Sequence, residues 1–268
     1  MTATTTRTVT SRDGTTIAYD QAGTGPAVIL ITGALGNRFG EGLVAPLSEH
    51  FTVIDYSRRG RGDSGDTFPY AVAREIEDLE ALIDAVGGTA HLYGISSGAA
   101  LALETASTLP AKVTKLALYE PPFITDGSRP PLPGDYVPHL NELIAAGRRG
   151  DAVEYFLTEA IRLPQEWLAG MKQAPMWPGL EQVAHTIAYD GTIMGDTMSG
   201  KPLPTDRWTT ATMPTLVMNG TLSESFFNTT ASSLATLLPN AQHRPIPNQD
   251  HNISPDALAP ILIDFFKG

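Results

Sequence analysis

His91-Leu92-Tyr93-Gly94-Ile95-Ser96-Ser97-Gly98-Ala99-Ala100-Leu101 is the stretch on which the fold turns. The apolar run Ala90 to Ile95 reads as a buried strand, and Gly98 to Leu109 is rich in Ala and Leu and stops at Pro110, as a helix does. Between them lies Gly94-Ile95-Ser96-Ser97-Gly98, a Gly-x-Ser-x-Gly pattern. A Ser on so sharp a strand-to-helix turn needs small residues two positions to either side. That turn exposes the hydroxyl at the carboxyl edge of a sheet, beside a helix N-terminus with positive potential and free N–H groups. Ser96 is therefore the candidate nucleophile. Ser97 lies one place off the motif centre.

Working outward, Thr5 to Ala22 reads as two strands joined at Asp13-Gly14. Short apolar runs at Ala27 to Thr32, Phe51 to Tyr56, Ala90 to Ile95 and Lys115 to Tyr119 have the character of buried parallel strands. Val72 to Val86 places Ile76, Leu79, Leu82, Ile83 and Val86 on one helical stripe. Alternating strands and helices imply a parallel sheet covered on both faces. The pattern breaks at Pro121 to Arg207, which is rich in Pro and shows no clear strand. Helices are expected there at Pro138 to Ala146, Ala152 to Arg162 and Leu180 to Tyr189. Alternation resumes at Pro214 to Met218, Thr229 to Leu238 and Gln242 to Ile246, and a last helix runs from about Asp256 to Phe266.

Four landmarks resemble the α/β-hydrolase superfamily, in the expected order along nearly the whole chain. They are Ile31-Thr32-Gly33-Ala34, Ser57-Arg58-Arg59-Gly60-Arg61-Gly62-Asp63-Ser64, the Ser96 turn, and a His before the last helix. Thr32 stands where the family usually has His, and Ser57 where it usually has Asp. The resemblance implies a mostly parallel, doubly wound α/β sheet of eight strands. Residues 1–122 and 208–268 would form the core and 123–207 a helical cap. It also implies an oxyanion hole made by the backbone N–H groups of Ala34 and Ser97.

A Ser hydroxyl needs a base. Among six His, His251 lies in the loop Pro247-Asn248-Gln249-Asp250-His251-Asn252 after the last expected strand, the family's base position. His243 belongs to a strand and reads as structural, and His185 falls in the cap. The acid is less simple. The family places it a few residues past the seventh strand, where this chain has Ser223 followed by Glu224. Glu120 ends the sixth strand before Pro121-Pro122 and is the favoured candidate, because a carboxylate there needs a buried partner. Glu224 stays open as the alternative. Asp250 is adjacent to His251 and unsuited to face it.

The cap offers Trp167, Met171, Met176, Trp177, Met194 and Met198. Of these, Trp177, Met194 and Met198, with Phe226 and Phe227, are candidates for an apolar substrate wall.

Composition narrows the function classes. The 268 residues carry a net charge of -11, and the only dense basic stretch, Arg58, Arg59 and Arg61, is too short for a nucleic-acid footprint. So acidic a surface also gains little at an anionic membrane. With no cysteine, thiolate catalysis, disulfides and Cys-ligated metals are excluded. The Thr-rich start, Met1 to Asp13, lacks an apolar segment of leader length, so a cytoplasmic location is expected. The expected partner is a small molecule, with no cofactor and no metal; self-association into homo-oligomers is left open. The chemistry implied is hydrolysis of an ester or lactone in a small to medium apolar substrate. The alternatives are another triad reaction (C–C hydrolysis, acyl transfer, a haloperoxidase-like reaction) or a non-catalytic ligand-binding protein on the same scaffold.

Overall fold

The computed structural model describes residues 5–268. Residues 1–4, where the Thr-rich N-terminal stretch begins, lie outside the described residues. Eight strands form one sheet in the order β1-β2-β4-β3-β5-β6-β7-β8. They are β1 (Thr5–Thr10), β2 (Thr16–Ala22), β3 (Ala27–Ile31), β4 (Thr52–Tyr56), β5 (Ala90–Ile95), β6 (Val113–Tyr119), β7 (Thr215–Gly220) and β8 (Ala241–Ile246). β1 and β2 pair antiparallel, as do β2 and β4, while β3 to β8 run parallel. The mostly parallel eight-stranded α/β sheet expected from the sequence is present.

Period-two alternation explains the two-faced burial. Along β3, Ile29 and Ile31 enter one apolar core and Val28 and Leu30 the other. Helices α1 (Glu41–Ser48), α2 (Val72–Ala85) and α3 (Ser97–Thr108) follow the early strands, and α9 (Ser225–Leu237) and α10 (Pro255–Lys267) the late ones. The helices α2, α3 and α9 cover the first face through residues such as Leu79, Leu101 and Leu234. The helices α1 and α10 cover the second through Leu47, Leu258 and Leu262.

Between β6 and β7 the chain is helical. α4 (Tyr136–Ala145), α5 (Arg149–Tyr155), α6 (Gln165–Lys172), α7 (Trp177–Gln182) and α8 (Thr186–Met194) share a core of their own, including Leu140, Val153, Leu168, Trp177 and Ile187. A π-helical turn, Phe156–Ala160, extends α5. The third expected cap helix, Leu180 to Tyr189, is two helices, broken over residues 183–185. Among the described residues, no helix is long and apolar enough to cross a membrane.

One core feature was not singled out from the sequence. His91 on β5 is 8% exposed, stacks on Phe266 with centroids 4.9 Å apart, and shares a 2.7 Å hydrogen bond with Thr114. Burial, with Lys115 acting the same way, pulls its pKa from 6.5 down to about 4. Between those values the unfolded chain holds a proton that the folded chain refuses. The stability from a neutral His91 is therefore full above the unfolded value and is lost as pH falls toward the folded one. Urea unfolding at pH 7 and pH 5 should show wild type losing about 2 kcal/mol more on acidification than His91→Phe, which keeps the ring and removes the titration. Equal losses would exclude His91 as the cause.

Candidate active site

The turn at Ser96 is as tight as the spacing requires. Ser96 has φ 57° and ψ -129°, a backbone conformation that is strained for any residue with a side chain. The strain is imposed by neighbours. A Cβ at Gly94 would lie 2.3 Å from the Gly98 carbonyl oxygen, and one at Gly98 would lie 2.3 Å from the Ile31 oxygen. Only glycine fits both positions. The Ser96 amide donates to the Tyr119 carbonyl at 2.9 Å, which fixes the turn against β6.

Glu120 and His251 meet. His251 Nδ1 lies 2.6 Å from Glu120 Oε2, and the Gly220 amide donates to Glu120 Oε1 at 2.7 Å. Glu120 is fully buried, with φ 48° at the end of β6. His251 stacks on Phe227 with centroids 5.0 Å apart. Its loop is tied down by Tyr119 Oη, which donates to the Asp250 carbonyl at 2.5 Å, and by Leu222, whose amide donates to Gln249 O. Gly220 admits this loop, since a Cβ there would lie 2.1 Å from the Gln249 oxygen.

The other candidate acids have other partners. Glu224, at the start of α9, lines the same cavity as Ser96 and His251, but its side chain is 56% exposed and faces Arg129. The Asp250 carboxylate accepts from the Asn252 amide. His243 pairs with Asn219, and His185 with Asp66.

Ser96, Ser97, Ala34 and His251 all line one cavity of about 150 Å³. Met194, Met198 and Phe227 contribute to its apolar wall, joined by Pro122, Tyr136, Phe156 and Ile187, which sequence reading did not single out. Trp177 and Phe226 are not on this lining and stand as corrections. Trp177 is packed into the cap's own core, with its indole N–H donating to Glu181. Phe226 is one residue out of phase with Phe227 on α9 and is buried beneath the Arg129 guanidinium, 4.6 Å from ring centroid to cation. Trp167 and Met176 are exposed.

A buried ion network closes the cavity floor. Asp190 of α8 accepts from Arg58 Nη1, Arg61 Nη2 and Ser97 Oγ at 2.7, 2.7 and 2.8 Å. Burial pushes the Asp190 carboxyl up, but Arg61 and Arg58 outweigh it and hold its pKa below the usual carboxylate value. Arg61 Nη1 also donates to the Gly33 carbonyl at 2.6 Å. The basic run is interior. Arg58, Arg59 and Arg61 are each 1% exposed, and Arg59 pairs with Asp78 and Asp13. Their partners lie 17 to 132 positions away, so no local pattern announces them.

Comparison with known proteins agrees with this architecture. The model of the alpha/beta hydrolase family matches residues 28–261. An alpha/beta hydrolase from Sphaerobacter thermophilus DSM 20745 is 52% identical in a solved structure, with TM-score 0.89 over 97% of this chain and 100% of that one. The enol-lactonase from Burkholderia xenovorans LB400 superposes with TM-score 0.70 at 21% identity, over 98% of this chain and 100% of that one, a likeness of fold. An N-formylmaleamate deformylase from Pseudomonas putida KT2440 is 30% identical over 156 residues. That match spans 54% of this chain and 58% of the deformylase, so it covers little more than half of either. With the family model matching from the third strand into the last helix, this chain belongs to the alpha/beta hydrolase family.

Proposed function

We propose that the chain is a serine hydrolase that cleaves an ester or lactone in a small to medium, largely apolar substrate through an acyl-enzyme on Ser96. One observation carries the reading: His251, hydrogen-bonded to the buried Glu120, lines the same cavity as the strained Ser96. With the Nδ1 proton directed at Glu120, Nε2 keeps its lone pair for the Ser96 proton. Ser96 Oγ attacks the carbonyl carbon, the proton moves to Nε2, and the carbonyl π electrons move onto oxygen. The C–O bond then breaks as His251 protonates the leaving oxygen. Water, deprotonated by His251, attacks the acyl carbon, and the ester bond to Ser96 breaks as the proton returns to Oγ.

The oxyanion would sit between the N–H groups of Ala34 and Ser97. Arg61 serves here as a positioning residue. In a trans peptide the Gly33 carbonyl and the Ala34 N–H point in opposite directions. Arg61 Nη1 donates to that carbonyl at 2.6 Å, so fixing the carbonyl also fixes the direction of the Ala34 N–H. Asp190 links that arginine to Ser97, so both halves of the hole share one anchor. A cavity of about 150 Å³ suits a small acyl group, since engineered cavities of that size accept benzene. The remaining features of this proposal are a cytoplasmic location and a dissolved small molecule as the partner, the latter supported by the net charge of -11, which disfavours nucleic acid and anionic membranes.

A fluorophosphonate should label the wild-type protein and leave Ser96→Ala unlabelled. Short-chain ester hydrolysis should fall by about 10⁴ or more in that variant. Persistent labelling of Ser96→Ala would remove Ser96 as nucleophile, and absence of labelling in wild type would favour a binding protein. Glu120→Gln should reduce kcat at least about 100-fold more than Glu224→Gln. The reverse order would move the acid to Glu224.

Arg61→Lys keeps the charge but loses the planar fork. Steady-state kinetics should show kcat falling about tenfold or more with KM changing little, because the lost interaction matters in the transition state. A rise in KM alone would assign Arg61 to substrate binding instead.

A further inference from the structure

Arg129 is the buried cation among the described residues of the cavity wall, and the acyl chemistry leaves its position unexplained. Four arginines are less than a tenth exposed among the described residues. Three of them, Arg58, Arg59 and Arg61, have buried carboxylates at 2.7 Å. The fourth, Arg129, is 7% exposed and has only Glu224 at 3.5 Å, a carboxylate that is itself 56% exposed. A charge-assisted hydrogen bond is normally 2.7–2.9 Å. Arg129 Nη2 donates to the Ala160 carbonyl at 2.7 Å, and the guanidinium rests on the Phe226 ring. Burial pulls its pKa below the usual guanidinium value, against the opposing pull of Glu224. Of the other charged or reactive groups of the wall, Asp190 is held by two arginines and by Ser97, Glu224 faces Arg129 itself, and Ser96 and His251 belong to the proposed reaction.

Resting on the serine-hydrolase reading, we propose that Arg129 is a carboxylate anchor, and that the substrate is a short ester or lactone carrying a free carboxylate. A guanidinium set in an apolar wall loses hydration, and a bound carboxylate restores the missing charge-assisted hydrogen bonds. Release of Glu224 costs little, because its side chain already reaches water. The surface as a whole carries net charge -11 and repels anions, so an anionic substrate requires a local cation such as this one. The Ala160 contact and the Phe226 face hold the guanidinium in place before the ligand arrives.

The test compares monomethyl glutarate with dimethyl glutarate, which differ by one charge and one methyl group. Binding is measured by calorimetry on full-length Ser96→Ala protein, so no turnover is needed. The monoester should bind at least about tenfold more tightly. Arg129→Met in the same background should erase that difference, Arg129→Lys should keep part of it, and Glu224→Gln should widen it. Equal or weaker binding of the monoester, or no binding of either, overturns the anchor. Circular dichroism and thermal unfolding check that Arg129→Met is folded; if it is not, the Arg129→Lys and Glu224→Gln results decide. As substrates of the wild-type protein, the two esters should show the same order in kcat/KM. Fluorophosphonate labelling reports separately on Ser96. A labelled protein with no preference for the charged ester loses the anchor and keeps the hydrolase. An unlabelled protein with a charge-dependent binding difference loses the hydrolase and keeps the anchor.

Discussion

Everything at this site depends on how closely β3, β5 and α3 approach one another around Ser96. The backbone at Gly94, Gly98 and Gly33 is too near its neighbours to admit a side chain without something shifting, with the Gly33 position facing Ser96 Cβ at 2.9 Å. This crowding holds Ser96 at positive φ, a strain of about 1–3 kcal/mol that the surrounding sheet must over-determine. The sheet does so with the Ser96–Tyr119 hydrogen bond and with fully buried apolar residues on both faces. The same approach brings the Ala34 loop beside the start of α3, so the constraint that exposes the hydroxyl also gathers the two candidate oxyanion donors.

A second constraint joins the sheet to the helical segment between β6 and β7, the expected cap. Arg58 and Arg61 leave the loop after β4 and meet Asp190 on α8, while Arg58 also grips Glu75 through both carboxylate oxygens. Buried ion pairs of this kind add little net stability, because desolvation offsets much of their attraction. They are intolerant of misplacement, however: removing one partner leaves an uncompensated buried charge. The network therefore specifies where α8 sits, and with it the cavity wall at Ile187, Gly191 and Met194. A cap held only by apolar contacts could slide; one keyed to two guanidinium forks has a single register.

How much of this was legible in the sequence follows from the range of each interaction. The Ser96 turn, the strand runs and the alternation of core residues are local patterns, and the structure has them where the sequence puts them. Glu120 was singled out because a carboxylate between an apolar strand and two prolines needs a partner, and it meets His251 across 131 positions. Arg58, Arg59 and Arg61 read only as a dense basic stretch, because charge alone does not reveal burial; their carboxylates arrive from other elements. Trp177 was singled out by composition and Phe226 by its place beside the expected acid loop. Composition does not tell which face of a short helix turns inward, and the cap's own core claims Trp177. Arg129 carried no signal at all, since a lone arginine in a Pro-rich loop is ordinary until the cavity is seen around it.

The position of the carboxylate that meets His251 is intelligible from the sheet itself. β6 and β7 are hydrogen-bonded neighbours, and parallel neighbours lie about 4.8 Å apart. A carboxylate moved from the end of β7 to the end of β6 must recover one strand spacing to reach the same imidazole. Glu120 recovers it in two ways. Its side chain is one methylene longer than Asp, and its positive φ turns the chain sharply as β6 ends. The proof of arrival is the Gly220 amide at the end of β7, which donates to Oε1 while His251 meets Oε2. The carboxylate thus bridges both strand ends, one oxygen fixed by backbone and the other committed to the imidazole. The loop after β7 has Ser223 where the family usually has its acid, and Glu224 turns toward Arg129.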